Sequence, residues 1–190
     1  MKRLSFLGFC LAIVASLCTV PAHAQENRYE IQLGATFPLV SRTFEVDTGT
    51  GYQLSFGIRV EEHLTLGLVY DTRTVVDDLG SDYDVDVNLY GVRAVWRLSG
   101  SSEFHLLGIT SIGIGEVVWA NEGPSDPAYP NDTDIDFWYE IGGGAEFGWG
   151  EHWTARLLAT VRGLHPKDPT RIIPGSRSEF VPTLSFGFSF

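Results

Sequence analysis

The chain has 190 residues and carries 13 Lys+Arg against 24 Asp+Glu, a net charge of −11. That acidity excludes nucleic acid as a partner, because phosphate binding needs a basic surface. Both cysteines, Cys10 and Cys18, fall in the leader described next, so no disulfide, thiolate metal site or cysteine nucleophile is expected in the mature protein.

Residues 1–24 read as a secretory signal peptide: Lys2 and Arg3 start it, residues 4–20 carry no charge, and Ala22-His23-Ala24 precedes Gln25 as a cleavage site. Phe9 and Leu17, which precede the cysteines, lack the small size that lipidation needs. Cleavage leaves residues 25–190 as one domain and moves the net charge from −11 to −13, with Lys167 as the sole lysine. A water-facing acidic surface would normally carry scattered lysines, so much of this one is expected to face something else. After cleavage no uncharged run of about 18 residues remains to form a helical span.

From there on, the dominant pattern is alternation with period two, which predicts strands with two different faces. The first strand sets Tyr29, Ile31, Leu33, Ala35 and Phe37 against Glu30, Gln32, Gly34 and Thr36. The second sets Tyr52, Leu54, Phe56, Ile58 and Val60 against Gln53, Ser55, Gly57 and Arg59, and the third Leu64, Leu66, Leu68 and Tyr70 against Thr65, Gly67 and Asp71. In the fourth, Val85, Val87 and Leu89 share one parity while Tyr90, Val92, Ala94, Trp96 and Leu98 take the other. This phase switch predicts a β-bulge near Leu89-Tyr90.

The fifth strand, 104–119, is apolar at both parities, which leaves its facing open. The sixth sets Ile135, Phe137, Tyr139, Ile141 and Phe147 against Asp136, Trp138, Glu140, Gly142, Gly144 and Glu146. The seventh sets Trp153, Ala155, Leu157, Ala159 and Val161 against Thr154, Arg156, Thr160 and Arg162, and the last sets Phe180, Pro182, Leu184, Phe186, Phe188 and Phe190 against Thr183, Ser185, Gly187 and Ser189. Short turns at 61–63, 99–102 and 148–152 alternate with long loops at about 40–50, 73–84, 120–134 and 163–178. Glu62-His63-Leu64-Thr65 resembles Glu151-His152-Trp153-Thr154, a faint repetition of a hairpin.

Eight antiparallel strands close either with the apolar face inside, as in a soluble ligand binder, or outside, as in a membrane barrel. The apolar faces of the regular strands carry no charge, and at the bilayer midplane an Arg or Lys would cost roughly 2–4 kcal/mol. The polar faces are rich in Gly and Ser, which suit a crowded interior. Aromatic residues gather at both strand ends, as two membrane–water interfaces require. Tyr29, Trp96, Phe104, Phe147, Trp149, Trp153, Phe188 and Phe190 lie near the short turns; Phe37, Tyr52, Tyr70, Tyr83, Trp119, Phe137, Tyr139 and Phe180 lie near the long loops. The fold expected is all-β: an eight-stranded antiparallel up-and-down transmembrane barrel.

On these turns, loops and strands of about ten residues, the chain resembles the small outer-membrane barrels of Gram-negative bacteria, the OmpA/OmpX-like type or the related outer membrane protein beta-barrel domain family. The terminal Leu184, Phe186, Phe188, Phe190 series resembles the signal read by the outer-membrane assembly machinery. The resemblance implies residence in the outer membrane, periplasmic termini and turns, and extracellular long loops. It also implies contact with outer-membrane lipid and lipopolysaccharide. A monomer is expected, without a cofactor and with no further domain after the last strand.

Three groups of residues carry the chemistry. Inward charges Glu30, Asp71, Glu140 and Glu146 oppose Arg59, Arg93, Arg97, Arg156 and Arg162. A buried set of this kind must pair, which predicts a closed interior, with a gated polar path as the alternative. Asp77, Asp78, Asp82, Asp84 and Asp86 crowd the second long loop, and Glu122, Asp126, Asp132, Asp134 and Asp136 the third. Asp132, Asp134 and Asp136 at i, i+2, i+4 would share one face of a continuing strand and offer carboxylates to a divalent cation; the competing reading is a solvated acidic rim.

His165, with Asp168, Ser176 and Ser178, is what a lipid A-modifying enzyme would have to use, but no Ser stands close to the His in sequence. His63, His105 and His152 lie at the opposite end. The expected role is therefore non-enzymatic: a scaffold presenting acidic loops for envelope integrity, adhesion or recognition, with Pro124, Pro127, Tyr129 and Pro130 stiffening the third loop. A small cation-preferring, porin-like channel is the alternative.

Overall fold

A computed structural model describes residues 29–39, 46–47, 50–77, 83–101, 103–121, 133–165 and 178–190. The strands are β1 Tyr29–Thr36, β2 Val46–Asp47, β3 Gly51–Glu61, β4 Leu64–Asp77, β5 Tyr83–Gly100, β6 Phe104–Asn121, β7 Thr133–Trp149, β8 Trp153–His165 and β9 Ser178–Ser189. Leaving β2 aside, each strand pairs antiparallel with the next in sequence, β1 with β3 and β4 with β5 included, and β1 pairs with β9, so eight strands close into an up-and-down barrel. The two-residue β2 adds to β4 at the long-loop end, Val46 opposite Asp77. Closure is completed at the termini, where the Tyr29 and Phe190 backbones exchange two hydrogen bonds of 2.9 Å.

Alternation translates directly into facing. Glu30, Gln32 and Thr36 on β1 are buried while Ile31 and Leu33 are exposed; on β9, Glu179, Val181, Thr183, Ser185, Gly187 and Ser189 are buried while Leu184, Phe186, Phe188 and Phe190 are exposed. Exposed Leu33, Leu54, Ile112, Ile141, Leu157 and Phe186 form the outer, lipid-compatible face. Aromatic pairs ring the short-turn end: Tyr29–Phe190 at 5.9 Å, Phe104–Phe147 at 5.1 Å and Trp153–Phe188 at 5.0 Å.

Two sequence expectations change. The predicted bulge at Leu89-Tyr90 is absent, because β5 pairs in continuous register with β4 and β6 through both residues. Val87 and Leu89 instead point inward in phase with Arg93 and Arg97, both being 1% exposed. The apolar pair merely made the inner face look like an outer one. Register shifts occur elsewhere, after Arg59 on β3 and after Arg97 on β5, both beside the short turns. On β6, His105, Leu107, Ile109 and Ser111 share the inward parity, while exposed Leu106 and Ile112 share the outward one.

The long loops are also shorter than expected. β5 and β6 have 18 residues each and β7 has 17, whereas crossing a bilayer takes about 9–11. A surplus of roughly 7 residues per strand carries these hairpins beyond the hydrocarbon at the long-loop end. At the opposite end the turn between β7 and β8 contracts to three residues, and Gly150 supplies the positive φ of 64° that it needs.

Candidate functional site

The barrel interior holds two groups of ion pairs, one toward each end. In the group toward the long loops, Arg93 donates to Glu140 at 2.8 Å and to Ser111 at 3.0 Å, and Thr160 donates to the same carboxylate at 2.7 Å. Gln53 bridges Arg93 to Asp71. Arg162 reaches Asp71 at 3.1 Å and Glu179 at 3.4 Å, and Arg73 reaches Glu179 at 2.6 Å. In the group toward the short turns, Arg156 bridges Glu30 at 2.8 Å and Glu146 at 2.6 Å. Arg97 spans the same two carboxylates, at 3.4 Å and 2.9 Å. All these charged side chains are buried. Such pairs hold only because each carboxylate receives several donors; an unpaired charge here would be strongly destabilising.

Between the groups lies an apolar cluster of Val95, Leu107, Ile109 and Leu158, none more than 4% exposed. Strand alternation places it: Val95 stands between Arg93 and Arg97 on β5, and Leu158 between Arg156 and Thr160 on β8. A gap beside it, lined by Glu30, Thr65, Arg93, Val95 and Arg156, measures about 10 Å³, room for about one water.

Nearer the long loops, fully buried Trp138 lies on the wall formed by Gly91 and Gly113, which are register partners. A Cβ at Gly91 would come within 2.6 Å of the indole, and one at Gly113 within 2.7 Å of its Nε1. Only glycine lets the ring lie there. Its Nε1 donates to the Tyr90 carbonyl at 3.1 Å.

The structure thus brings eight of the nine predicted inward charges, Glu30, Asp71, Arg93, Arg97, Glu140, Glu146, Arg156 and Arg162, into buried ion pairs. The ninth, Arg59, joins no ion pair with any described carboxylate, and its buried Nε has no hydrogen-bond partner. It borders a cavity of about 580 Å³ at the short-turn end, together with His63, Arg97, His105, Glu146 and His152. Arg73 and Glu179 fall just outside the sequence pattern, which ends the one strand at Asp71 and begins the other at Phe180. Extending the alternation by one step on β4, and one back on β9, would have placed both inside.

The other candidates lie partly or wholly outside the described residues. Asp132 lies outside the described residues, and Asp134 and Asp136 are described only as β7 backbone opposite Val117 and Gly115. Among the described residues no group of three or more His, Cys, Asp or Glu is arranged to hold a metal ion. His165 is exposed at the end of β8, its ring 5.8 Å from that of Tyr139 and 6.4 Å from that of Phe137. Asp168, Ser176, the third-loop residues Pro124, Pro127, Tyr129 and Pro130, the acidic Asp78, Asp82, Glu122 and Asp126, and residues 1–24 lie outside the described residues. Leu184, Phe186, Phe188 and Phe190 all face outward on the closing strand.

The sequence model of a family described as "Outer membrane protein beta-barrel domain" matches residues 10–166. No curated protein matches the chain. Among solved structures, the fold is similar to Neisserial surface protein A, with a TM-score of 0.66 and 10% identity over 85% of this chain and 97% of that one. It is also similar to the N-terminal β-barrel domain of Pseudomonas aeruginosa OprF, with a TM-score of 0.55 and 19% identity over 87% and 98%. The attachment invasion locus protein Ail of Yersinia pestis gives a TM-score of 0.55 and 15% identity over 87% and 100%.

Proposed function

The chain belongs to the outer membrane protein beta-barrel domain family, and from that premise we propose that it serves as a non-conducting, non-enzymatic scaffold holding acidic loops at the cell surface. The short-turn end with both termini faces the periplasm, the long loops face outward, and residues 1–24 are removed on export. The role is envelope integrity, adhesion or surface recognition. Ail, similar in fold, is named for attachment and invasion.

The observation that carries this reading is the filled lumen. Two groups of ion pairs with an apolar cluster between them occupy the interior where a conducting path would have to run. An eight-stranded barrel has room for little beyond its own side chains, and here those side chains interlock. A rigid barrel then fixes the ends of loops that make the contacts. The competing channel reading needs a continuous wet lumen.

The test is single-channel current after refolding residues 25–190 into a planar bilayer, with folding verified by a heat-modifiable gel shift. A folded, silent protein is expected. Stable cation-selective steps would replace the scaffold with the channel.

A further inference from the structure

The interior charges do not balance, and the imbalance has an address. Arg59, Arg73, Arg93, Arg97, Arg156 and Arg162 face Glu30, Asp71, Glu140, Glu146 and Glu179 among the described inward side chains. Arg73, Arg93 and Arg162 share Asp71, Glu140 and Glu179; Arg97 and Arg156 share Glu30 and Glu146. Arg59 is the cation left over. Glu30 and Glu146 act on it through space, but their oxygens already accept from Arg97 and Arg156. Arg73 and Arg162 also leave Nε unbonded, yet each places an Nη on a carboxylate; Arg59 has no such contact among the described residues.

This cation borders an open space at the short-turn end of the barrel. The cavity of about 580 Å³ is walled by β3, β5, β6, β7, β8 and β9, with the Arg97- and Arg156-paired Glu146 in its wall, and rimmed by the short turns. Its volume falls within the range of small-ligand sites, about 300–1,000 Å³. Arg97 on its wall adds a second guanidinium, and His63, His105 and His152 each add an imidazole able to donate. A guanidinium presents its donors in a planar fork that matches the oxygens of a phosphate or carboxylate. Glu62 and Glu151, exposed in the turns that form the rim, would repel a large polyanion while leaving room for a small one.

We propose that this vestibule binds a small oxyanion, of the phosphate-monoester or carboxylate class, through the Arg59 guanidinium. The proposal goes beyond the scaffold reading and does not depend on it, since the site is a blind pocket whether or not the loops have a partner. The bound anion neutralises the interior and joins Arg59 to the hydrogen-bonded network.

The experiment uses protein purified from outer membranes in detergent, titrated calorimetrically with inorganic phosphate and separately with acetate at constant ionic strength in chloride. Saturable binding of at least one anion is expected, weakened at least tenfold in Arg59→Gln and largely kept in Arg59→Lys. In parallel, the Arg59 Nε–H resonance, assigned by its loss in Arg59→Gln, shifts with the same midpoint. Phosphate alone, acetate alone or both would identify the chemistry. Because Arg59 gives up no ion pair with a described carboxylate, the Gln variant is expected to keep the heat-modifiable gel shift that shows it is folded. Absence of saturable heat in the wild type, or equal affinity in folded Arg59→Gln, overturns the proposal.

Discussion

The guanidinium carbon of Arg162 stands 5.6 Å from the centroid of the Trp138 ring, and neither side chain has measurable exposure. This cation–π contact joins the charged and apolar parts of the interior at one point. Arg162 holds Asp71 and Glu179 with its nitrogens, and it also contacts an indole anchored to the Tyr90 carbonyl. Desolvation strengthens such a contact, so the barrel interior is a cross-braced core in which charge pairs and packing support each other.

Glu140 is the most heavily shared carboxylate toward the long loops, accepting from Arg93, Thr160 and Ser111. Glu140→Ala would leave Arg93 and Arg162 with less compensation, and a loss of about 3–5 kcal/mol is expected from breaking a buried pair. The companion Arg93→Met, Glu140→Leu double variant removes both charges and should recover most of that loss. Urea unfolding in lipid vesicles, followed by tryptophan fluorescence, reports both; equal destabilisation in the two variants would mean that the loss does not come from leaving the Arg93 charge unpaired.

Gly113→Ala is expected to destabilise the barrel by about 1–3 kcal/mol, because the added methyl overpacks Trp138 and the Tyr90 carbonyl. A shifted Trp138 emission together with a lower unfolding midpoint would report it. Gly108→Ala is the control, since its Cβ meets only the Leu98 side chain at 3.6 Å and beyond. Similar effects from both substitutions would remove the packing argument.

Leu157 is 57% exposed on β8, one residue from buried Arg156 and buried Leu158. Leu157→Arg puts a charge on the face assigned to lipid and should cost roughly 2–4 kcal/mol in vesicles, the cost expected near the bilayer midplane. In a soluble barrel an exposed Arg would be nearly neutral. Vesicle refolding yields against the wild type distinguish the two.

Deleting Phe190 removes both backbone hydrogen bonds to Tyr29 and a ring contact at 5.9 Å. If the outward Leu184, Phe186, Phe188, Phe190 series is read during assembly, the truncated chain should be depleted from outer-membrane fractions by immunoblot. Its refolding in vitro should fall less. An unchanged outer-membrane level would show that this aromatic terminus is not needed for delivery.

The barrel was legible because each side of an eight-stranded wall meets a different medium, and alternation in β1, β3, β8 and β9 records that difference residue by residue. The outward aromatic termini and uncharged faces then chose lipid over water. What stayed hidden was chemistry common to both sides. Val87, Leu89, Leu107 and Ile109 are apolar yet inward, so polarity alone could not orient β5 or β6, and the inner apolar pair mimicked a bulge. Charge pairing was legible as a need, because buried guanidiniums require carboxylates. The choice of partner was not, since Arg156 meets Glu30 across 126 residues of sequence and only closure brings them together.

The seam between β1 and β9 also sets a time order. Its strands are the first and last of the barrel, and Tyr29 acquires its terminal partner only when Phe190 exists. Until then both strands present unpaired backbone, a template for aggregation, and Glu30 is separated from Arg156 with much of the interior network unmade. No shorter nascent chain can complete this wall. Phe190 thus acts as the latch on a wall that Tyr29 begins some 160 residues earlier in the chain.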